Sequence, residues 1–130
     1  MVILRDSGSD TARLREMIGN LNAEWANTDT RIHGIPGYRV NGFDKWLLEQ
    51  GESEADIGLH AGILDTSLLL AINPGHVRQD KLADRSAFEG SVNGNPARAT
   101  RAYGVKGLQL MIDTSVESIR ELRVSSRQKR

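Results

Sequence analysis

Apolar positions recur along this chain with changing period, and each period predicts an element. Residues 2 to 4, VIL, are β-favouring and continuous, the pattern of a short strand buried on both faces. The stretch RDSGSDT that follows is turn and cap chemistry, with Asp10 or Thr11 placed to accept from the first free N–H groups of a helix. Leu14, Met17, Ile18, Leu21 and Trp25 then fall at three- and four-residue steps, the stripe of a helix over about 11–26. Residues 27 to 56 lose the period. Rich in Gly, Pro and Asn, they read as a long loop in which DKWLLEQ has the pattern of a helical turn or two, and long loops of this kind usually shape a site or an interface.

A helix over 62–72 is predicted next, with Leu64, Leu68, Ala71 and Ile72 on one face and Leu69 and Leu70 filling its sides; Pro74 ends it and pushes Asn73 out of the helical region. The segment DRSAFEGSVNGNPARAT reads as extended chain and turns. Asn95-Pro96 marks a helix start, because asparagine caps well and proline is pre-set for the first helical position. Behind it Leu108, Met111, Ile112, Ser115, Val116, Ile119 and Leu122 carry the strongest helical period in the chain. Gly104 and Gly107 inside this helix each cost roughly 1 kcal/mol relative to alanine, which points to close packing at both positions. The order of strand and helices is α/β.

Composition narrows the function. The 130 residues are one domain's worth, since a chain of about 150 residues buries roughly 70% of its unfolded surface. Seventeen basic and 17 acidic residues cancel, so no global field draws in nucleic acid or an anionic membrane. The basic tail RVSSRQKR has nothing apolar to order it and reads as a frayed terminus. No cysteine is present, which excludes disulfides, thiolate metal sites and a cysteine nucleophile. The opening MVILRDSGSD is too briefly apolar for a signal peptide or a membrane span, so a soluble, cytoplasmic protein is expected.

Individual candidates are thinly spread. His33 and His76 have polar, loop-like surroundings without a second ligand at helical spacing and read as surface residues. GSVNGN lacks the spacing of a phosphate-binding loop, and RDSGSD lacks that of a nucleophilic serine at Ser7 or Ser9. Trp25 and Trp46 read as core or interface anchors.

Three stretches together resemble one family. GLHAGILDTSLLLAINPGHVR, GNPARATRAYGVKGLQLMIDTSVESI and VILRDSGSDTARLR are similar, in chain order, to segments of the creatininase (creatinine amidohydrolase) family of metal-dependent hydrolases, over roughly its carboxy-terminal half. The resemblance implies a truncated three-layer α/β/α sandwich of creatininase type, with residues 1–130 a single creatininase-like domain, partial relative to the family. Its small sheet is expected to join residues 2–4 to the extended region near 85–93.

The resemblance also assigns a site. His60 matches the family's active-site histidine, Asp65 takes the place of its usual glutamate, and Ile63 stands where many members carry another acid. Ser7, between Asp6 and the glycine Gly8, falls where the family's Asn-Gly-His-Gly-Gly-Asn loop has a metal-binding histidine, with Asp10 at the final asparagine; a hydroxyl is a poor substitute for imidazole at zinc or manganese. The implied divalent ion, Zn or Mn, therefore needs ligands from a partner chain, and this chain alone is expected to hold none. His60 would pass a proton to a leaving amine, with Asp65 orienting it or holding a metal-bound water. Equally, His60 can pack at a helix entrance while Asp65 serves as a first-turn acid favoured by the helix dipole.

Two functional classes thus stand open: an amidohydrolase subunit acting on a C–N bond of a cyclic amide or formamide, and a non-catalytic scaffold for binding or assembly. In both, exposed sheet edges and bare helix faces lead to a homo-oligomer or a complementary creatininase-like subunit, without nucleic acid or membrane.

Overall fold

The computed structural model describes residues 1–5, 11–35, 42–84 and 90–128. They form an α/β fold, mostly helical, whose contacts group the chain into two compact units. Met1–Asn41 and Met111–Arg130 make the first, and Gly42–Leu110 the second.

In the first unit, β1 (Val2–Arg5) pairs in parallel with β2 (Ile32–Ile35) in the register Val2↔Ile32 to Arg5↔Ile35, and α1 (Thr11–Glu24) is the crossover between them. Among the described residues the partner of β1 therefore lies in the stretch read as loop; of the region near 85–93 expected to pair with it, residues 85–89 lie outside the described residues. IHGI was hard to read as a strand because Gly34 interrupts the β-favouring run. That glycine is where α1 comes close: a Cβ on Gly34 would stand 3.2 Å from Ile18 Cδ1. Ile32 and Ile35 are buried, and His33, expected on a polar surface, is half-buried in the strand.

Two polar side chains tie the crossover. Asn22 donates to the Ile32 carbonyl and accepts from its N–H, each at 2.9 Å, so α1 covers that point of the edge of β2. The Arg31 guanidinium donates to the carbonyls of Trp25, Ala26, Thr28 and Thr30, gathering the turn that follows α1; the Trp25 carbonyl also accepts from the Thr28 N–H and hydroxyl.

The second unit holds α2 (Phe43–Glu49), α3 (Glu54–Ile57), α4 (Ile63–Ile72) and the first turns of α5 (Arg101–Gln128). Its core is Phe43, Leu47, Ile57, Ile63, Leu64 and Leu70. Burying each of these large side chains stabilises the unit by about 1.5–3 kcal/mol. Gly104 and Gly107 are buried, and both explain themselves. A Cβ on Gly104 would overlap the Ser67 carbonyl of α4, and one on Gly107 would overlap the Phe43 ring.

Three boundaries differ from expectation. Residues 43–49 form α2, the helical turn or two expected of DKWLLEQ, but residues 54–57, in the stretch otherwise read as loop, form a further short helix, α3. Pro96–Arg98 is a single tight turn whose Asn95 side chain does not cap it; α5 starts at Arg101, where Thr100 Oγ1 accepts from the Tyr103 N–H at 3.1 Å. At its other end α5 runs on to Gln128, so most of the polar tail is helical rather than frayed. Each added residue of a formed helix closes one more hydrogen bond, and arginine and glutamine are good helix formers. No helix among the described residues is long and apolar enough to cross a membrane.

Candidate functional site

His60 lies in the turn Leu59–Gly62, which joins α3 to α4. Gly62 precedes the first helical residue, and Ala61 adopts φ +53°, a left-handed conformation that L-residues other than Gly, Asn and Asp seldom enter. Such strain persists only where the surroundings hold it. Here α4 holds it from both ends: Asp65 Oδ2 accepts from the Ala61 N–H at 2.8 Å, and Thr66 Oγ1 donates to the Ala61 carbonyl at 3.0 Å. Asp65 thus acts within the first turn of α4 by reaching back to the turn that carries His60.

The stretch 93–100 packs onto the same turn. Asn93 and His60 exchange backbone hydrogen bonds in an antiparallel bridge, at 3.2 Å from His60 N to Asn93 O and 2.8 Å in return. Asn93 Oδ1 also accepts from the Leu59 N–H at 2.8 Å. Gly58 and Gly94, both at positive φ, allow the approach. A Cβ on Gly58 would overlap the Asn93 carbonyl, and one on Gly94 would stand 2.7 Å from Gly62 Cα. Asn95 then binds Asp56 through its backbone N–H to the Asp56 carbonyl and its Nδ2 to Oδ1, each at 2.8 Å. Asp56 accepts from Ser53 Oγ through its other oxygen at 2.7 Å. Ser67, fully buried, accepts from the Thr100 N–H at 3.1 Å. The HAGILDTS and GNPARAT segments, distant in sequence, therefore meet, and Asp65, Thr66 and Ser67 each satisfy a backbone group of the junction.

The His60 residue itself is exposed to solvent. The backbone on both sides of it is fixed, by Asp65 and Thr66 at Ala61 and by Asn93 at Leu59. His76 is exposed in the turn after α4, with its Nε2 3.3 Å from Asn73 Nδ2.

A second polar cluster in this unit had no signal in the sequence. Glu52, in the α2–α3 turn, is buried, and its carboxylate accepts from Arg98 Nε at 2.5 Å and from the Tyr103 hydroxyl at 3.0 Å. The Arg98 hydrogen bond, helped by that of Tyr103, holds the Glu52 carboxyl below the usual carboxylate range in spite of burial and the nearby Asp56 charge. The same bonds push Arg98 and Tyr103 upward. Tyr103 meets Trp46 edge to face, and Trp46 stacks on Phe43, so the cluster is roofed by aromatic rings. Isolated Glu, Arg and Tyr letters 46 to 51 positions apart carry no period that could have announced it.

Among the described residues no three His, Cys, Asp or Glu side chains converge to hold a metal ion, and one Asp65 oxygen is spent on a backbone N–H. The described residues do not fit a divalent-ion site by themselves. Asp6, Ser7 and Asp10, which the resemblance sets at a metal loop, lie outside the described residues, as does the part of the extended region over 85–89.

The family model named Creatininase, described as creatinine amidohydrolase, matches residues 1–119. No curated protein and no solved structure matches the chain.

Proposed function

We propose that this chain, which belongs to the creatininase family, is an amidohydrolase subunit that cleaves a C–N bond of a cyclic amide or formamide. The observation that supports this most is the exposed His60, carried on a turn whose backbone is clamped from α4 and from Asn93. As the oxygen of a water molecule bonds to the carbonyl carbon and the C–N bond breaks, His60 donates a proton to the leaving nitrogen and takes one back from that water. Asp65 acts as a positioning residue, holding Ala61 in its left-handed conformation and so fixing the residue next to His60. With Ser7 in place of the family's ligand histidine, we assign the ligands of a divalent zinc or manganese ion to a complementary creatininase-like subunit. That assembly would complete the three-layer α/β/α sandwich.

The engagement of Asp65, Thr66 and Ser67 with backbone groups favours a second reading, in which the segment is kept as architecture and the protein serves as a non-catalytic scaffold in a homo-oligomer. Native mass spectrometry of the protein from its own host, followed by assay of the intact assembly on cyclic amides and formamides, separates the two. The hydrolase reading expects a hetero-complex that carries divalent ions and loses turnover, but not its fold, in His60→Ala. A metal-free homo-oligomer with no turnover of either substrate class overturns it in favour of the scaffold.

A further inference from the structure

We propose that Asn93 is a positioning residue for His60, an assignment that deepens the hydrolase reading and rests on it for its catalytic meaning. The turn bearing His60 lies between Gly58 and Gly62, is solvent-exposed at Leu59 and His60, and would be free to sample many conformations if nothing held it. Asn93 holds it with three hydrogen bonds to two consecutive residues: its Oδ1 takes the Leu59 N–H, and its backbone takes and gives one bond each with His60. Asn93 is itself exposed, so water would satisfy all of these groups in its absence. The ladder therefore adds little to stability and much to geometry. Its effect is to hold the His60 Cα, and hence the base of the imidazole, against a loop anchored by Asn95 on Asp56 and by Arg98 on Glu52.

The side chain matters beyond the backbone bridge. Only a residue with an acceptor oxygen two bonds beyond Cβ reaches the Leu59 N–H from this position. Aspartate keeps that oxygen, alanine removes it, and serine places it one atom short.

The test uses the full-length protein with Asn93→Ala, Asn93→Ser and Asn93→Asp, read by backbone amide exchange and by the imidazole Cε1–H resonance of His60. Asn93→Ala is expected to speed exchange at Leu59 and His60 roughly five- to tenfold and to shift or broaden the His60 resonance, while amides within α4 and α5 keep their protection. Asn93→Asp is expected to restore both signals. On a cyclic amide or formamide that the intact assembly turns over, Asn93→Ala lowers kcat with KM little changed. Should Asn93→Ala fail to fold, Asn93→Ser carries the same expectation. Unchanged exchange at Leu59 and His60, a loss of protection spread evenly over the second unit, or failure of Asn93→Asp to restore the resonance would each overturn the assignment. If no turnover is found while exchange responds as expected, the hydrolase reading fails and the role of Asn93 in holding His60 stands.

Discussion

Replacing Gly104 by alanine would normally stabilise a helix by about 1 kcal/mol, yet here it should do the opposite. The added Cβ would overlap the Ser67 carbonyl oxygen, a backbone atom that cannot swing aside, and would stand 2.8 Å from Ala71 Cβ where carbon atoms need about 3.5–4 Å. α4 and the start of α5 must then separate by about 1 Å. Overpacking of this kind costs about 1–3 kcal/mol, and the Ser67–Thr100 hydrogen bond at 3.1 Å, worth about 1 kcal/mol, is stretched with it. After the helix-propensity gain, a net loss of about 2 kcal/mol remains, or a fall of roughly 6–12 °C in Tm. Gly19 in α1 is the matched control: a Cβ there meets nothing within 4 Å, so Gly19→Ala should stabilise by about 0.5–1 kcal/mol. Urea unfolding can follow each substitution in its own unit, because Trp25 lies in the first and Trp46 in the second, and single-tryptophan versions separate their signals. A Gly104→Ala protein as stable as the parent would refute the close packing of α4 against α5.

The left-handed Ala61 gives a second test by calorimetry: Ala61→Gly should be neutral or stabilising by up to about 1 kcal/mol, and Ala61→Val destabilising by about 1–3 kcal/mol. Asn95→Asp sets two carboxylates face to face at Asp56, which raises the pKa of the pair above its unfolded value. The loss, about 1.5–3 kcal/mol near neutral pH, should therefore shrink as the solution is acidified through the carboxylate range, and a loss that ignores pH would contradict the contact. Glu52 has the opposite sign. Its folded pKa is depressed, so its contribution is present above the ordinary value of 4.5 and lost as pH falls through the folded one. Glu52→Gln should cost about 1–3 kcal/mol near neutral pH, and its denaturation midpoint should converge on the parent's in acid.

What the sequence determined by itself is whatever depends on near neighbours. The helices α1, α4 and α5, the stop of α4 at Asn73-Pro74 and the VIL strand follow from side-chain period and local backbone preference. Burial does not follow the period as closely: Val2, Leu69 and Ile72 are exposed, and the face α4 buries is Ile63, Leu64, Thr66, Ser67 and Leu70. Gly104 and Gly107 were legible as contact points because glycine in a helix is locally unfavourable and needs a tertiary reason. His60 and Asp65 became candidates through the resemblance of the segment around them, while the hydrogen bond from Asp65 to the Ala61 backbone had no sign in the sequence. Tertiary structure alone decided the rest. Pairing of β1 with Ile32–Ile35 spans a whole helix, and a four-residue strand broken by glycine shows no period. The meeting of Asn93 with His60, of Asn95 with Asp56 and of Glu52 with Arg98 and Tyr103 joins residues 33 to 51 positions apart. Hydrogen bonds between such residues leave no mark on local pattern; they exist because the packed helices bring donor and acceptor within 3 Å or so.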